Sequence, residues 1–313
     1  MALLLLINGW DPHKWVEEFH KVDPSLELRL WPDVGNHDDI DYIVAWKPDP
    51  GTMSGYANLK AIFSLGAGVD HITKDPDLPP VPIARIVDPN LTLRMTEWVV
   101  LQVLLHHRRH LDFAAQQRQS QWTVLDQPAA PDVRVGIMGL GVLGQDSANA
   151  LSFLGFDVAG WSRTPKQLDG ITGYHGDDGL GDFLARTDIL VALLPHTSAT
   201  DDILNMRLFK QLARDGELPG PVIINAGRGG LQNEDDILAA LNDGTLNAAS
   251  LDVFRVEPLD QQSPLWSHPR AIIYPHVAAE SDPKRLSRNV VDQIKAMEQG
   301  RPLENVVDPV HGY

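Results

Sequence analysis

The chain has 313 residues, enough for two domains of ordinary size and a large hydrophobic core. Its formal net charge of −16 argues against nucleic acid or an anionic membrane as a partner, so an anionic ligand would need a local positive patch. Cysteine is absent, which excludes disulfides, a thiol nucleophile and a cysteine-ligated metal, and we expect a cytoplasmic protein. The apolar run Leu3–Ile7 is too short to cross a membrane and has no basic flank, so we interpret it as a strand rather than a signal peptide.

The first third of the sequence alternates short apolar runs with helical stretches, a pattern typical of an open parallel sheet. Asp11-Pro12 favours a helix start, and Trp15, Val16 and Phe19 would share one face of a helix over Lys14–Val22. The predicted strands are Ala2–Ile7, Leu26–Leu30, Tyr42–Trp46 and Leu59–Leu65.

A long helix is predicted over Thr92–Arg118, as a connector between two α/β regions. It carries His106, His107 and His110, of which the first and last are one turn apart and could in principle ligate a metal. No third ligand is evident. We therefore expect a solvated basic face and no metal site.

The apolar run Val133–Met138 predicts a buried strand, and Gly139, Gly141 and Gly144 follow it with G-x-G-x-x-G spacing before a predicted helix. The first glycine of such a motif makes a tight turn, the second admits a pyrophosphate, and the third lets the helix pack on the strand. The helix N-terminus supplies free N–H groups and a positive dipole end. This strand–turn–helix context predicts a dinucleotide site, and the alternative is a glycine-rich packing turn.

Further strands and helices alternate to the end of the chain, which predicts a second parallel sheet. The predicted strands are Phe156–Trp161, Thr187–Leu194, Val222–Asn225, Asn247–Phe254 and Ala271–Tyr274. The predicted helices are Asn205–Leu212, Glu234–Asn242 and Pro283–Gln299, with the last expected to pack on the first domain.

Polar residues collect where these strands end, and ligands of open α/β sheets bind at the carboxyl ends of the strands. Arg228 follows one strand, Asp252 and Glu257 the next, and His276 the last. Hydride transfer to a ketone leaves an alkoxide that needs a proton, which His276 can donate near neutral pH. Glu257 would orient the imidazole and favour its charged form. The Arg228 guanidinium could grip a carboxylate through two hydrogen bonds and polarise the adjacent carbonyl, and its neighbours Gly227 and Gly229 leave room for close approach.

Four motifs extend over more than half of the chain: Gly139–Gly144, Asn225–Gly229, Leu251–Pro258 and Pro275–Ala279. With them the sequence resembles the D-isomer-specific 2-hydroxyacid dehydrogenase family. Further motifs are Val44–Trp46, Leu65–Asp70, Trp161–Thr164, Ser263–Trp266 and the Gly312–Tyr313 ending. With these it resembles, within that family, the glyoxylate/hydroxypyruvate reductase A group.

The resemblance implies two Rossmann-like domains with doubly wound parallel sheets and a cleft between them. Residues 1–103 and 285–313 would form a discontinuous substrate domain, and residues 104–284 the dinucleotide-binding domain. It also implies a homodimer and the reduction of a small 2-keto acid, with His276 as acid/base, Glu257 as its partner and Arg228 as the substrate clamp.

Three further roles follow from the resemblance, each with a structural alternative. Ala67 and Gly68, in the loop Gly66–Val69, would hold the substrate carboxylate through backbone N–H groups, as an anion nest does, and the alternative is a simple turn. Trp46 would form one wall of the substrate site, and the alternative is ordinary packing in the core. Asp252 would face the nicotinamide, or else hold its loop.

The cofactor is predicted to be NADPH, with NADH as the weaker alternative. An NAD enzyme usually places an acid after the second strand for the ribose 2′-hydroxyl, but here Ser162, Arg163, Thr164 and Lys166 could hold a 2′-phosphate. The predicted cofactor contacts are Gly139, Gly141, Val142, Leu143, Gly144, Ser162, Arg163, Thr164, Lys166, Leu194, Pro195, Ala226 and Asp252.

The leading hypothesis is therefore NADPH-dependent reduction of glyoxylate and hydroxypyruvate. Two alternatives remain open at this point. One is a dehydrogenase of a bulkier 2-keto acid such as phenylpyruvate, and the other is a non-catalytic nicotinamide-sensing protein, since fold alone does not fix function.

Overall fold

The computed structural model of the protein describes residues 2–308, so the Gly312–Tyr313 ending lies outside the described residues. The first elements are β1 (Ala2–Ile7), α1 (Pro12–Val22), β2 (Glu27–Leu30), β3 (Ile40–Trp46), β4 (Ala61–Ser64), α2 (Asp70–Thr73), β5 (Ile83–Ala84), α3 (Pro89–His107) and α4 (His110–Arg118). They are followed by β6 (Arg134–Met138), α5 (Val142–Phe153), β7 (Asp157–Ser162), β8 (Thr172–His175), α6 (Leu180–Ala185), β9 (Ile189–Ala192), α7 (Met206–Phe209), β10 (Val222–Asn225), α8 (Glu234–Asp243), β11 (Ala248–Leu251), β12 (Ala271–Ile273) and α9 (Pro283–Glu298).

The strands form two sheets, and the strand pairs within both are parallel. The 5-stranded sheet has the order β2-β1-β3-β4-β5, and the 7-stranded sheet has the order β12-β11-β10-β9-β6-β7-β8. Both orders run outward in two directions from an early strand, as in doubly wound folds. The predicted α/β class with Rossmann-like parallel sheets is confirmed.

The chain divides into two compact units. The first comprises the residues up to Leu91 together with those from Ser281 onward, and the second is Thr92–Glu280. The sequence-based boundaries at residues 103 and 285 fall inside α3 and α9.

The first unit has an apolar cluster on each face of its 5-stranded sheet. On one face, Trp15 and Phe19 of α1 pack with Val290 and Ile294 of α9. Asp11 caps α1 by accepting the backbone N–H of His13, as the Asp-Pro start predicts. The other face carries the second cluster, which includes Val69 and Ile72 of the α2 region.

The second unit also has a cluster on each face of its sheet, and its central strands are buried except at Arg134, the first residue of β6. Continuous apolar runs are what strands covered on both faces require. This is why the runs at Arg134–Met138, Ile189–Ala192 and Val222–Asn225 were predictable.

The single helix predicted over Thr92–Arg118 is wrong, because α3 and α4 are separate helices. Arg109 between them has a left-handed backbone with φ 56. Its guanidinium donates to the Asp112 carboxylate at 3.0 Å and to the Asp126 carbonyl at 3.4 Å, and these contacts hold the break without glycine or proline.

The solvated face predicted for His106 and His107 is also wrong. His106 is 7% exposed, its Nε2 lies 2.8 Å from Oγ of Ser250, and burial lowers its pKa to about 3. His107 is 6% exposed and packs edge-on against Phe156. Both are neutral core residues, while His110 is exposed.

Within residues 2–308 no helix combines the length and the apolarity needed to cross a bilayer. In the same part of the chain, no group of three His, Asp or Glu side chains is arranged to hold a metal ion.

Candidate active site

The glycine-rich turn joins β6 to α5 in the middle of the 7-stranded sheet. Gly139 has φ +111, and a Cβ there would lie 2.8 Å from the carbonyl oxygen of Leu193. A Cβ on Gly144 would overlap the Gly139 carbonyl, so this glycine permits the helix to approach the strand. Nothing lies within 4 Å of a Cβ built on Gly141, which directly precedes the first turn of α5. Open space beside a helix N-terminus is what a pyrophosphate needs.

The end of β7 carries the residues predicted to recognise the adenosine ribose. Ser162 is buried, and its hydroxyl donates to the Thr164 carbonyl at 2.8 Å. Arg163, Thr164 and Lys166 are exposed. The stretch from Ser162 to Leu168 contains two cationic residues and no acidic residue.

The other predicted cofactor contacts lie on the same edge of this sheet. Leu194 and Pro195 follow β9, and Ala226 follows β10. Val142 and Leu143 occupy the first turn of α5. The carbonyl of Pro195 accepts the Thr200 hydroxyl at 2.7 Å, which fixes the loop after β9.

Arg228 lies in a loop that a buried polar network holds. The Asn225 side chain accepts the Gly227 N–H at 3.0 Å and donates to the Arg228 carbonyl at 3.1 Å and to Gln232 Oε1 at 2.8 Å. Gln232 in turn donates to the Val253 carbonyl at 2.9 Å, which joins this loop to the one after β11. Asn225 and Gln232 are both fully buried.

The glycines beside Arg228 allow the loop to pack closely against its neighbours. A Cβ on Gly227 would lie 2.8 Å from the Leu194 carbonyl, and one on Gly229 would overlap the backbone of Phe254. They let the loop lie against the loops after β9 and β11. That they also leave room for a ligand to approach Arg228 closely stays a prediction.

His276 and Glu257 form a direct pair at the carboxyl ends of β12 and β11. Nδ1 of His276 lies 3.0 Å from Oε1 and 2.9 Å from Oε2 of Glu257. The side chains are 29% and 23% exposed, so the pair is partly shielded from water. His276 has φ 58, a left-handed conformation that costs a non-glycine residue free energy and that occurs at functional sites.

Asp252 holds the turn that carries His276. It is 1% exposed, and its carboxylate accepts the N–H of Val277 at 2.8 Å and of Ala278 at 3.1 Å. Its carbonyl accepts the N–H of His276 at 2.8 Å. Burial raises the pKa of Asp252, although these two N–H groups act in the opposite direction. This geometry supports the loop-holding alternative, and the contact with nicotinamide stays a prediction.

The predicted substrate residues of the first unit lie at the carboxyl edge of the 5-stranded sheet. Trp46 ends β3, is 8% exposed and stacks on Trp10 with 4.2 Å between ring centroids. A Cβ on Gly66 would lie 2.5 Å from the Trp46 ring, so the loop after β4 rests on that ring. The Ser64 hydroxyl lies 3.1 Å from the Gly66 carbonyl and 3.2 Å from the Gly66 N–H. Ala67 and Gly68 of this loop are half-buried.

Sequence reasoning missed Asn225 and Gln232 as loop-holding residues, and it gave the loop-holding role of Asp252 only as an alternative, without its partners. Asn225 and Gln232 lie beside a glycine-rich strand end, and an amide so placed is a usable signal of a loop-holding network. The bonds from Asp252 to residues 277 and 278 join positions 25 and 26 apart in the chain, and no local pattern signals them.

A parallel sheet with this glycine turn, an arginine loop and a carboxylate–histidine pair at one edge defines a dinucleotide-dependent oxidoreductase. Residues 100–278 match the family model described as D-isomer specific 2-hydroxyacid dehydrogenase, NAD binding domain. The chain belongs to the D-isomer-specific 2-hydroxyacid dehydrogenase family.

Curated and solved relatives match the chain over its whole length. Glyoxylate/hydroxypyruvate reductase A of Yersinia enterocolitica is 40% identical over 319 aligned residues, covering 100% of both chains. The solved NADPH-dependent glyoxylate/hydroxypyruvate reductase of Sinorhizobium meliloti, in complex with NADP and sulfate, is 46% identical with a TM-score of 0.94, covering 100% of both chains. A probable 2-hydroxyacid dehydrogenase from Rhizobium etli, solved with NADP, HEPES and tartaric acid, is 44% identical with a TM-score of 0.94, covering 100% of this chain and 99% of that one. The predicted family and its glyoxylate/hydroxypyruvate reductase A group are confirmed.

Proposed function

We propose that the protein is an NADPH-dependent reductase that converts small 2-keto acids, glyoxylate and hydroxypyruvate, into 2-hydroxy acids. The observation that carries the proposal is the pair of His276 Nδ1 and the Glu257 carboxylate at 2.9 Å, on the sheet edge that also bears the Arg228 loop. The full-length similarity to reductases of these two acids supports the choice of substrate.

The residues that would hold NADPH fit its chemistry. The open space at Gly141 before α5 suits the pyrophosphate, and Arg163 with Lys166 suits the 2′-phosphate. When bound, NADPH supplies the hydride that reduces the keto carbon. The complete proposed set is Gly139, Gly141, Val142, Leu143, Gly144, Ser162, Arg163, Thr164, Lys166, Leu194, Pro195, Ala226 and Asp252.

The protein's own groups supply the proton and the orientation. An ionised Glu257 only accepts hydrogen bonds, so Nδ1 of His276 donates to it and Nε2 carries the proton for the substrate oxygen. The Arg228 guanidinium binds the keto acid and draws electron density from the carbonyl. Trp46, Ala67 and Gly68 are assigned to the substrate, whose carboxylate the backbone N–H groups of the loop would bind.

We also propose that the enzyme works as a homodimer in the cytoplasm, on the ground of its family. Closed two-fold dimers are the commonest soluble assemblies. Light scattering on the purified protein should give twice the mass of one chain, and a monomer mass would contradict the proposal.

The deciding experiment follows the loss of reduced-nicotinamide absorbance with purified protein. Glyoxylate, hydroxypyruvate, pyruvate and phenylpyruvate are each tested with NADPH and with NADH. Rapid oxidation of NADPH with the two small acids is the expected result. Activity only with phenylpyruvate would overturn the substrate assignment, and tight NADPH binding without turnover would favour a sensor.

A further inference from the structure

Arg85 stands at the carboxyl end of β5, next to the strand whose end carries the loop Gly66–Val69. The register pairs Ile62 with Ile83 and Phe63 with Ala84, which places Arg85 level with Ser64. The backbone around Arg85 is fixed on its other side as well, because its N–H donates to the Asn305 carbonyl at 3.1 Å.

The alternation of β5 places the Arg85 side chain on the face of the sheet that α2 covers. Ile83 belongs to the apolar cluster that contains Val69 and Ile72, whereas Ala84 and Ile86 belong to the cluster on the opposite face. Successive side chains of a strand point to opposite faces, so Arg85 points to the same face as Ile83.

Ser64 lies on that same face, because its neighbours Phe63 and Leu65 belong to the opposite cluster. Neighbouring strands are about 4.8 Å apart. The long side chain of Arg85 therefore starts one strand away from the Ser64 hydroxyl that holds Gly66. An arginine side chain is long enough to span this strand spacing towards the loop Gly66–Val69.

The Arg85 guanidinium is a half-buried cation without a protein partner among residues 2–308. Burial lowers the pKa of Arg85, and no neighbouring charge contributes to that change. Other partly buried arginines are paired, as Arg134 is with Asp188 and Arg270 with Asp112, each through short hydrogen bonds. Removing a cation from water without a partner costs free energy. An unpaired, half-buried arginine therefore points to an anionic ligand that binds it.

We infer that Arg85 binds the carboxylate of the 2-keto acid, together with the backbone N–H groups of Ala67 and Gly68. The inference deepens the proposed function and rests on it. A guanidinium offers two parallel hydrogen bonds to a carboxylate, and in a chain of net charge −16 it supplies the local positive charge that an anionic substrate needs. Arg85 therefore acts in substrate binding, whereas His276 acts in proton transfer.

The test compares Arg85→Met and Arg85→Lys with the matched control Arg29→Met. Arg29 is a partly buried arginine of the same sheet, but it is ion-paired with Glu27. In Arg85→Met, KM for glyoxylate should rise on the order of tenfold to a hundredfold, with KM for NADPH unchanged and kcat changed little. Arg85→Lys should recover part of the loss, because it restores the charge but not the two-pronged geometry. The control should match the wild type. A KM for glyoxylate within about twofold of wild type in Arg85→Met would overturn the inference.

A second measurement does not depend on turnover. Oxalate, an unreactive small carboxylate, should raise the Tm of the wild type but not of Arg85→Met. Without oxalate, Arg85→Met should melt no lower than the wild type, since it removes an unpaired cation; a purely structural arginine would give a lower Tm and an intact oxalate shift.

The two hypotheses fail in different ways. If the wild type reduces keto acids and Arg85→Met does so with unchanged KM, only the inference falls. If the wild type reduces none of the keto acids, the proposed function is rejected. The carboxylate-binding role of Arg85 is then tested by the oxalate-induced Tm shift alone. An oxalate shift equal in both proteins, or absent from both, would reject Arg85 as the carboxylate site.

Discussion

Glu257 approaches His276 so that both carboxylate oxygens lie within hydrogen-bonding distance of a single ring nitrogen, Nδ1, at 3.0 and 2.9 Å. The contact holds the imidazole in place, and in the proposed mechanism the carboxylate balances the positive charge of the acid. Glu257→Gln retains shape but removes this charge. We expect kcat to fall on the order of a hundredfold or more, with little change in NADPH affinity. Steady-state kinetics and a fluorescence titration with NADPH measure the two quantities, and unchanged kcat would reject Glu257 as the partner.

His276→Ala should lower kcat more severely than Glu257→Gln, because it removes the proton donor itself. NADPH binding should stay nearly intact. The two measurements above apply, with the exposed His110→Ala as the control for loss of a histidine. Near-normal turnover in His276→Ala would remove it from the acid role.

Arg228→Lys should not restore function, because a point charge cannot reproduce the two-pronged guanidinium. The loop itself should stay in place, since the network of Asn225 holds it through backbone groups and Gln232. We therefore expect wild-type Tm together with a loss of kcat/KM on the order of a hundredfold. A fully active lysine variant would show that the substrate clamp lies elsewhere.

Arg163→Ala tests cofactor choice. Arg163 and Lys166 are exposed beyond β7, with no acid between them, so the variant loses charge that a 2′-phosphate would use. KM for NADPH should rise about tenfold or more, and KM for NADH should change little. Kinetics with both cofactors on the same preparation measure the ratio. An equal effect on both would reject Arg163 as the recognition residue.

The two sheets and the residues at the strand ends could be predicted from the sequence, because both depend on local patterns. Continuous apolar runs mark buried strands, and polar residues placed directly after them must collect at one edge of a parallel sheet. The exposed edge strand Thr172–His175 has no apolar run and was missed. The break at Arg109 was missed because side-chain contacts, rather than glycine or proline, hold it.

Contacts between distant positions account for the rest of what was missed. His106 was predicted to lie on the surface, because its partner Ser250 is 144 positions away and no local sequence pattern indicates the contact. The amide network of Asn225 and the turn held by Asp252 depend on loops that only the fold brings together. These residues hold the loops that carry the strand-end residues, to which we assign the chemistry.

The burial of His106 also predicts how stability depends on pH. Its pKa is about 3 in the folded protein, against an ordinary value of 6.5, because burial disfavours the charged ring. Below about pH 6.5 the unfolded chain therefore binds a proton that the folded chain does not, and the free energy of unfolding falls as pH falls towards the folded pKa. Above that pH the contribution is complete and constant.

We expect this group to remove about 2 kcal/mol from the free energy of unfolding between about pH 7.5 and about pH 5. His106→Gln keeps a side chain able to hydrogen-bond Ser250 but cannot titrate, so its loss over the same interval should be smaller by that amount. Urea unfolding at both pH values measures the difference, and the exposed His110→Gln should behave as the wild type. Equal pH dependence in His106→Gln and the wild type would mean that His106 accepts a proton in the folded protein as readily as in the unfolded chain.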